Sequence, residues 1–145
     1  MFRMERVIRT KAAPETVFDF IADARNDKVW NGSERIEKVS DGPVGPGTTF
    51  REVTRMMGRE TAFVFENARY QPPRMVQRYG HDERMAFRST WSVEPAPDGS
   101  TLAFVGELEP SGRVMALLFP LMRGMLTRRM DGFIPKLQAA LDARG

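Results

Sequence analysis

Glu52, Tyr79 and His81 are the side chains of this 145-residue chain whose type and setting suit proton transfer. Glu52 stands in TFREVTRM (49–56), where the alternation of an extended strand puts it on one side with Phe50, Thr54 and Met56 and sends Arg51, Val53 and Arg55 to the other. Two arginines on one strand are costly to bury, so the side with Phe50 and Glu52 is expected to face inward. A carboxyl held among apolar side chains keeps its proton to higher pH and can act as a general acid or base. Two competing arrangements pair Glu52 with an arginine across a sheet or turn Val53 inward in its place. RYGHDE (78–83) gathers Tyr79, His81, Asp82 and Glu83, and a strand ending at Tyr79 aims Gln77, Tyr79 and His81 to one side. Gly80, Asp82 and Glu83 are turn composition, which favours a polar turn at a sheet edge.

Other chemistries are excluded by what the sequence lacks. With no cysteine and one histidine there is no thiolate nucleophile and no His-rich metal site, and no P-loop, dinucleotide glycine motif or serine elbow occurs. No metal and no cofactor are expected, which leaves cofactor-free acid–base work. The net charge of +3 is spread along the chain among acidic residues, and the densest basic pair, Arg128 and Arg129, has Asp131 close by. That pattern describes a solvated surface rather than a nucleic-acid site. MALLFPLMRGML (115–126) is the most apolar stretch, yet it is short, contains Pro120 and Arg123, and cannot span a bilayer. MFRMERVIRTK (1–11) has no apolar core or cleavage site of a signal peptide, so the expected location is the cytoplasm.

The elements that must position these residues follow from the period of the apolar positions. VIRTKA (7–12) alternates Ile8, Thr10 and Ala12 against Arg9 and Lys11, a first strand. Pro14 and Glu15 suit a first helical turn, and Val17, Phe18, Ile21 and Ala22 follow at helical spacing until DARND (23–27) interrupts, with a second short helix reaching Trp30. From Ile36 to about Glu109 the turn segments DGPVGPG, GRE, QPP, GHDE and APDGS divide six consecutive strands, and in TLAFVGELE (101–109) Leu102, Phe104, Gly106 and Leu108 share a face. Phe119, Met122, Leu126, Met130, Phe133, Leu137 and Leu141 then recur every three or four residues, an apolar stripe on a C-terminal helix. It is expected over about 121–141, opening or kinking at Pro120 and bending near Pro135. The class is α+β in one domain over 1–145: about seven antiparallel strands, two short helices after the first, and a long helix covering the sheet.

AAPETVFDFIADARNDKVW (12–30), DGPVGPGTTFRE (41–52), ARYQPPRMV (68–76) and TLAFVGELEPSG (101–112) resemble, in order and spacing, the START-like, Bet v 1-like (SRPBCC) superfamily, in particular its bacterial polyketide cyclase/dehydrase-like branch. The resemblance runs from about residue 4 to residue 143. It implies the helix-grip fold, a curved sheet wrapped around the long helix, with an apolar cavity between the two. Phe50, Phe63, Phe65, Trp91 and Phe104 would line it from the sheet, with Thr54 and Gln77 as polar members. Met122, Leu126, Met130 and Phe133 would face them from the helix. Met115, Met122, Met125 and Met130 would make an adaptable mouth.

The function implied is binding or carriage of a small hydrophobic molecule: a polyketide, an aromatic compound or a lipid. One alternative is a cofactor-free cyclase, aromatase or dehydratase using Glu52, Tyr79 or His81. Another is an interaction module that docks a partner or a membrane surface through its methionine-rich helix start, as quinone-chaperone relatives do. The partner expected is a small hydrophobic molecule, with no nucleic acid and no membrane span, and a homodimer is left open.

Overall fold

Seven strands form one antiparallel sheet in the order β1-β7-β6-β5-β4-β3-β2, in a computed structural model that describes residues 1–56 and 58–145. The strands are β1 (Phe2–Thr10), β2 (Arg35–Lys38), β3 (Thr49–Met56), β4 (Arg59–Gln71), β5 (Met75–His81), β6 (Met85–Ala96) and β7 (Gly99–Pro110). The side chain of Met56, expected on the inner face, lies outside the described residues. Between β1 and β2 come helix α1 (Pro14–Ala22), a 3₁₀ turn (Ala24–Asp27) and the one-turn helix α2 (Lys28–Asn31). The chain ends in α3 (Gly112–Asp142), gripped by the sheet. This is the helix-grip arrangement.

Two boundaries differ from expectation. β1 begins at Phe2 rather than near Val7, because Phe2 and Met4 alternate with exposed Arg3 and Glu5 and pack with Phe119 of α3. α3 begins at Gly112, so MALLFPLMRGML lies wholly within the helix and Pro120 and Pro135 fall inside it. A proline deprives the carbonyl four residues earlier of its helical donor. Those carbonyls belong to Ala116 and Asp131, both exposed, so water can satisfy them and the helix can run on.

The core is uneven along α3, and this creates the site. At its C-terminal end Leu137 and Leu141 are fully buried against Ile8, Val17, Ile21, Leu102 and neighbouring residues of α1 and the sheet. Further toward the N-terminus the inner stripe meets a sheet face on which small residues alternate with large ones. Across adjacent strands Met4, Gly106, Ser89, Arg78 and Asn67 stand in one row. Gly80, two residues on from Arg78, is packed so closely beneath Phe63 and Phe65 that an added Cβ would lie 2.5 Å from the Val64 carbonyl oxygen. Small side chains in the middle of the sheet leave room that α3 does not fill.

Candidate functional site

That room is a cavity of about 280 Å³ between the sheet, α2 and α3. Its walls are aromatic and aliphatic. Trp30 from α2 meets Trp91 of β6 edge to face, ring centres 5.9 Å apart, and meets Phe133 of α3 at the same distance. Trp91 lies against Phe104 of β7 at 4.5 Å. Phe63 and Phe65 of β4, with Leu126 and Met130 of α3, complete the expected wall.

Glu52 reaches the cavity from β3 and Phe50 on the same side is fully buried, while Val53, on the other side of the strand, is fully buried as well. Among the described residues the Glu52 carboxylate pairs with no arginine. Oε2 accepts from Asn31 Nδ2 at 2.7 Å and from Ser33 Oγ at 2.8 Å, both supplied by the end of α2 and the residues after it. The αL conformation of Gly32 (φ 73°) turns the chain there, and Asn31 Oδ1 accepts the Ser33 backbone N–H, which holds both donors together.

The centre of the site is an ion pair that the sequence reading missed. Arg78 of β5 and Asp27 of the 3₁₀ turn both line the cavity, and each side chain is only 4% exposed. Arg78 Nη1 donates to Asp27 Oδ2, and Nη2 donates to Asp27 Oδ1 and to the Ile21 carbonyl at the end of α1. The guanidinium also lies over the rings of Phe65 and Trp91, at 5.6 and 5.8 Å. Burial pushes the Asp27 carboxyl up to about 6, since the water it loses outweighs the attraction of Arg78, and the charges of Glu52 and Asp23 press the same way. The neutral-to-acid range of one cavity carboxyl is therefore set by where the 3₁₀ turn places it.

Two donors on lining residues, Trp30 Nε1 and Arg78 Nε, are buried with no hydrogen-bond partner among the described residues. An unpaired buried donor costs about 1–3 kcal/mol unless something accepts from it. Arg129 of α3 brings a second guanidinium to the lining, its Cζ 5.6 Å from the Phe133 ring centre. The cavity is thus apolar in its walls and has a polar zone of Asp27, Arg78, Glu52 and Asn31. Among the described residues no three histidine, aspartate or glutamate side chains gather as a metal site.

The other expected residues are placed elsewhere. Gln77, Tyr79 and His81 do share one side of β5, but Val76, Arg78 and Gly80 are the buried set, so the three lie on the opposite, outer face. There Gln77 Nε2 donates to Thr90 Oγ1 at 3.0 Å, and Tyr79 stacks on His81 with Arg88 over its ring. RYGHDE is also less of a turn than its composition suggested, since β5 runs through His81. Phe50 is fully buried and stacks on Phe65 at 5.7 Å, behind the wall rather than in it. Thr54 shares a 3.1 Å hydroxyl contact with Thr61, and neither it nor Met122 lines the cavity. Of the four helix methionines expected at a mouth, Met130 alone is part of the lining, which gains Met4 and Met85 instead.

No curated protein matches the sequence. Among solved structures the fold is shared with the Zhui aromatase/cyclase from Streptomyces sp. R1128, at 11% identity and a TM-score of 0.80 over 99% of this chain and 94% of that one. A START superfamily protein from Mycobacterium smegmatis superposes with a TM-score of 0.78 at 13% identity, covering 99% of both chains. A protein from Thermus thermophilus is 21% identical with a TM-score of 0.68, over 98% of this chain and 94% of that one. These likenesses establish the fold. The family model described as polyketide cyclase/dehydrase and lipid transport matches residues 1–142, and the chain belongs to that family, within the START-like (SRPBCC) superfamily.

Proposed function

We propose that this protein binds a small, mostly apolar molecule that carries a hydrogen-bond acceptor such as a ketone or ester oxygen. The observation that supports it is the pairing of aromatic walls with a few polar side chains, among them Asn31, Arg78 and Arg129, in the lining of one cavity. Apolar area gives affinity, and the few polar groups fix orientation. A hydrocarbon would cover the polar groups of the lining without a hydrogen bond, whereas an acceptor oxygen can take one from them. The family's description names polyketides and lipids, both of which carry oxygen acceptors on an apolar frame, the kind of molecule this lining suits.

Trp30 and Trp91 both line the cavity, so intrinsic fluorescence reports on it from two sides. Titration with flat aromatic ketones is expected to quench it saturably, and matched hydrocarbons lacking the oxygen are expected to bind about tenfold more weakly, the factor that one hydrogen bond to the lining supplies. Equal affinity for the two series would remove the acceptor from the proposal, and no binding by either would remove the ligand.

A second reading, cofactor-free proton transfer, is favoured by the Asp27 carboxyl at about 6, close to the working range of a general acid. Asp27 and Glu52 would then be the acid–base pair. In that case Asp27→Asn abolishes turnover of a poly-keto substrate while leaving its binding within a fewfold of the parent protein.

A further inference from the structure

The outer side of α3 presents an apolar surface that nothing among the described residues covers. Val114, Leu117, Leu118 and Leu121 recur at positions i, i+3, i+4 and i+7, so they stand on one face. They are exposed by 71, 79, 44 and 80% respectively, while the opposite stripe, Phe119 and Leu126, packs inward. Contiguous exposed aliphatic residues of this kind mark an interaction site. The helix segment that carries them has charges of one sign as far as Asp131, which pairs with Arg6. From Gly112 to Met130 the chain has Arg113, Arg123, Arg128 and Arg129 and not one acidic residue. Arg128 follows Leu121 by seven residues and Arg113 precedes Leu117 by four, so both return to the apolar face and bracket it.

We infer that this face of α3 docks on an anionic lipid surface, with Val114, Leu117 and Leu121 entering the boundary between headgroups and acyl chains and Arg113 and Arg128 meeting lipid phosphates. An aliphatic stripe flanked by cations on a helix lying flat is the arrangement that interfacial helices use. The complementary charge selects an anionic surface, and a stripe along one helix suits a flat plane better than it suits a pocket. No helix among the described residues is long and apolar enough to cross a membrane, so the contact is peripheral. Docking involves the outer face of α3 alone and is independent of what the cavity holds.

Co-flotation with vesicles tests it. The protein is expected to float with vesicles of phosphatidylcholine mixed with phosphatidylglycerol, to stay behind with phosphatidylcholine alone, and to be released by high salt. Leu117→Ser with Leu121→Ser should cut binding by about tenfold or more; both positions are exposed, and an unchanged circular dichroism spectrum and melting point will show that the fold is kept. Arg113→Gln and Arg128→Gln should each weaken binding about fivefold. Absence of flotation with either vesicle overturns the inference, as does flotation that ignores lipid charge and both sets of substitutions. Concentration-dependent dimerisation that the two serines abolish, without vesicle binding, also overturns it and assigns the face to a second copy of the chain.

Discussion

Asp27, through its burial, links the stability of the fold to pH. Its carboxyl is held at about 6 against an ordinary value of 3.8, so the folded protein retains this proton when the unfolded chain has lost it. The stability linked to Asp27 is therefore fully present below about pH 4 and is lost as pH rises through about 6. Asp27→Asn removes that slope. Urea denaturation at intervals between about pH 4 and pH 7 should show the variant gaining on the parent protein by up to about 3 kcal/mol across the window. A constant difference would mean that Asp27 titrates alike in both states. Residue type alone marks neither Asp27 nor Arg78 as a site residue. DARND looks like an interruption between helices, and an arginine in MVQRYGH (75–81) is assigned to solvent by default because buried guanidinium groups are rare. The alternation was available: Arg78 shares parity with Val76 and Gly80, an apolar and a small residue, which is the signature of the inner face. Glu52 was legible as a candidate because Arg51 and Arg55 are costly to bury on the opposite side of the strand.

At the scale of elements the turn chemistry and the two periods disclosed nearly all of the order, since the strand ends carry Gly or Pro segments, except between β5 and β6 where Asp82, Glu83 and Arg84 make the turn, and α3 has a continuous stripe. What stayed hidden was depth: how far β1 and α3 extend and which inner positions are wall or filler, because those depend on packing across the sheet. Two glycines on the inner face separate these roles. Gly80→Ala would put a Cβ 2.5 Å from the Val64 backbone oxygen and 2.9 Å from Phe65 Cβ, so β4 and β5 would have to part. A loss of about 1–3 kcal/mol is expected, measured by denaturation. Gly106→Ala meets the tip of the Phe104 ring at 2.6 Å, the far end of a side chain that can swing away. That ring borders the cavity. The expected result is a smaller stability change with a marked loss of ligand affinity, and the reverse ranking of the two variants would show that the Phe104 ring is not free to move.

For the whole molecule the hollow sets stability against function. Protein interiors gain from close packing, and a cavity of about 280 Å³ leaves its lining short of contacts on one side. The fold tolerates this because the C-terminal end of α3, with Leu137 and Leu141 fully buried, anchors the helix independently of the cavity half. Filling the space should then stabilise the protein while abolishing binding. Leu126 lies on the α3 wall, is partly buried and makes no polar contact whose loss would confuse the result. Leu126→Phe extends a ring into the hollow and is expected to raise stability by about 1 kcal/mol, seen as a melting point roughly 3–5 °C higher. The same variant should lose the ligand-dependent rise in melting temperature that the parent protein shows with a saturating aromatic ketone, because mass action stabilises only a fold that still binds. If Leu126→Phe melts higher and still responds to the ligand, the ligand occupies some surface other than this cavity. If it melts lower, the lining is already as tightly packed as the rest of the core, and the aromatic walls are there for stability alone.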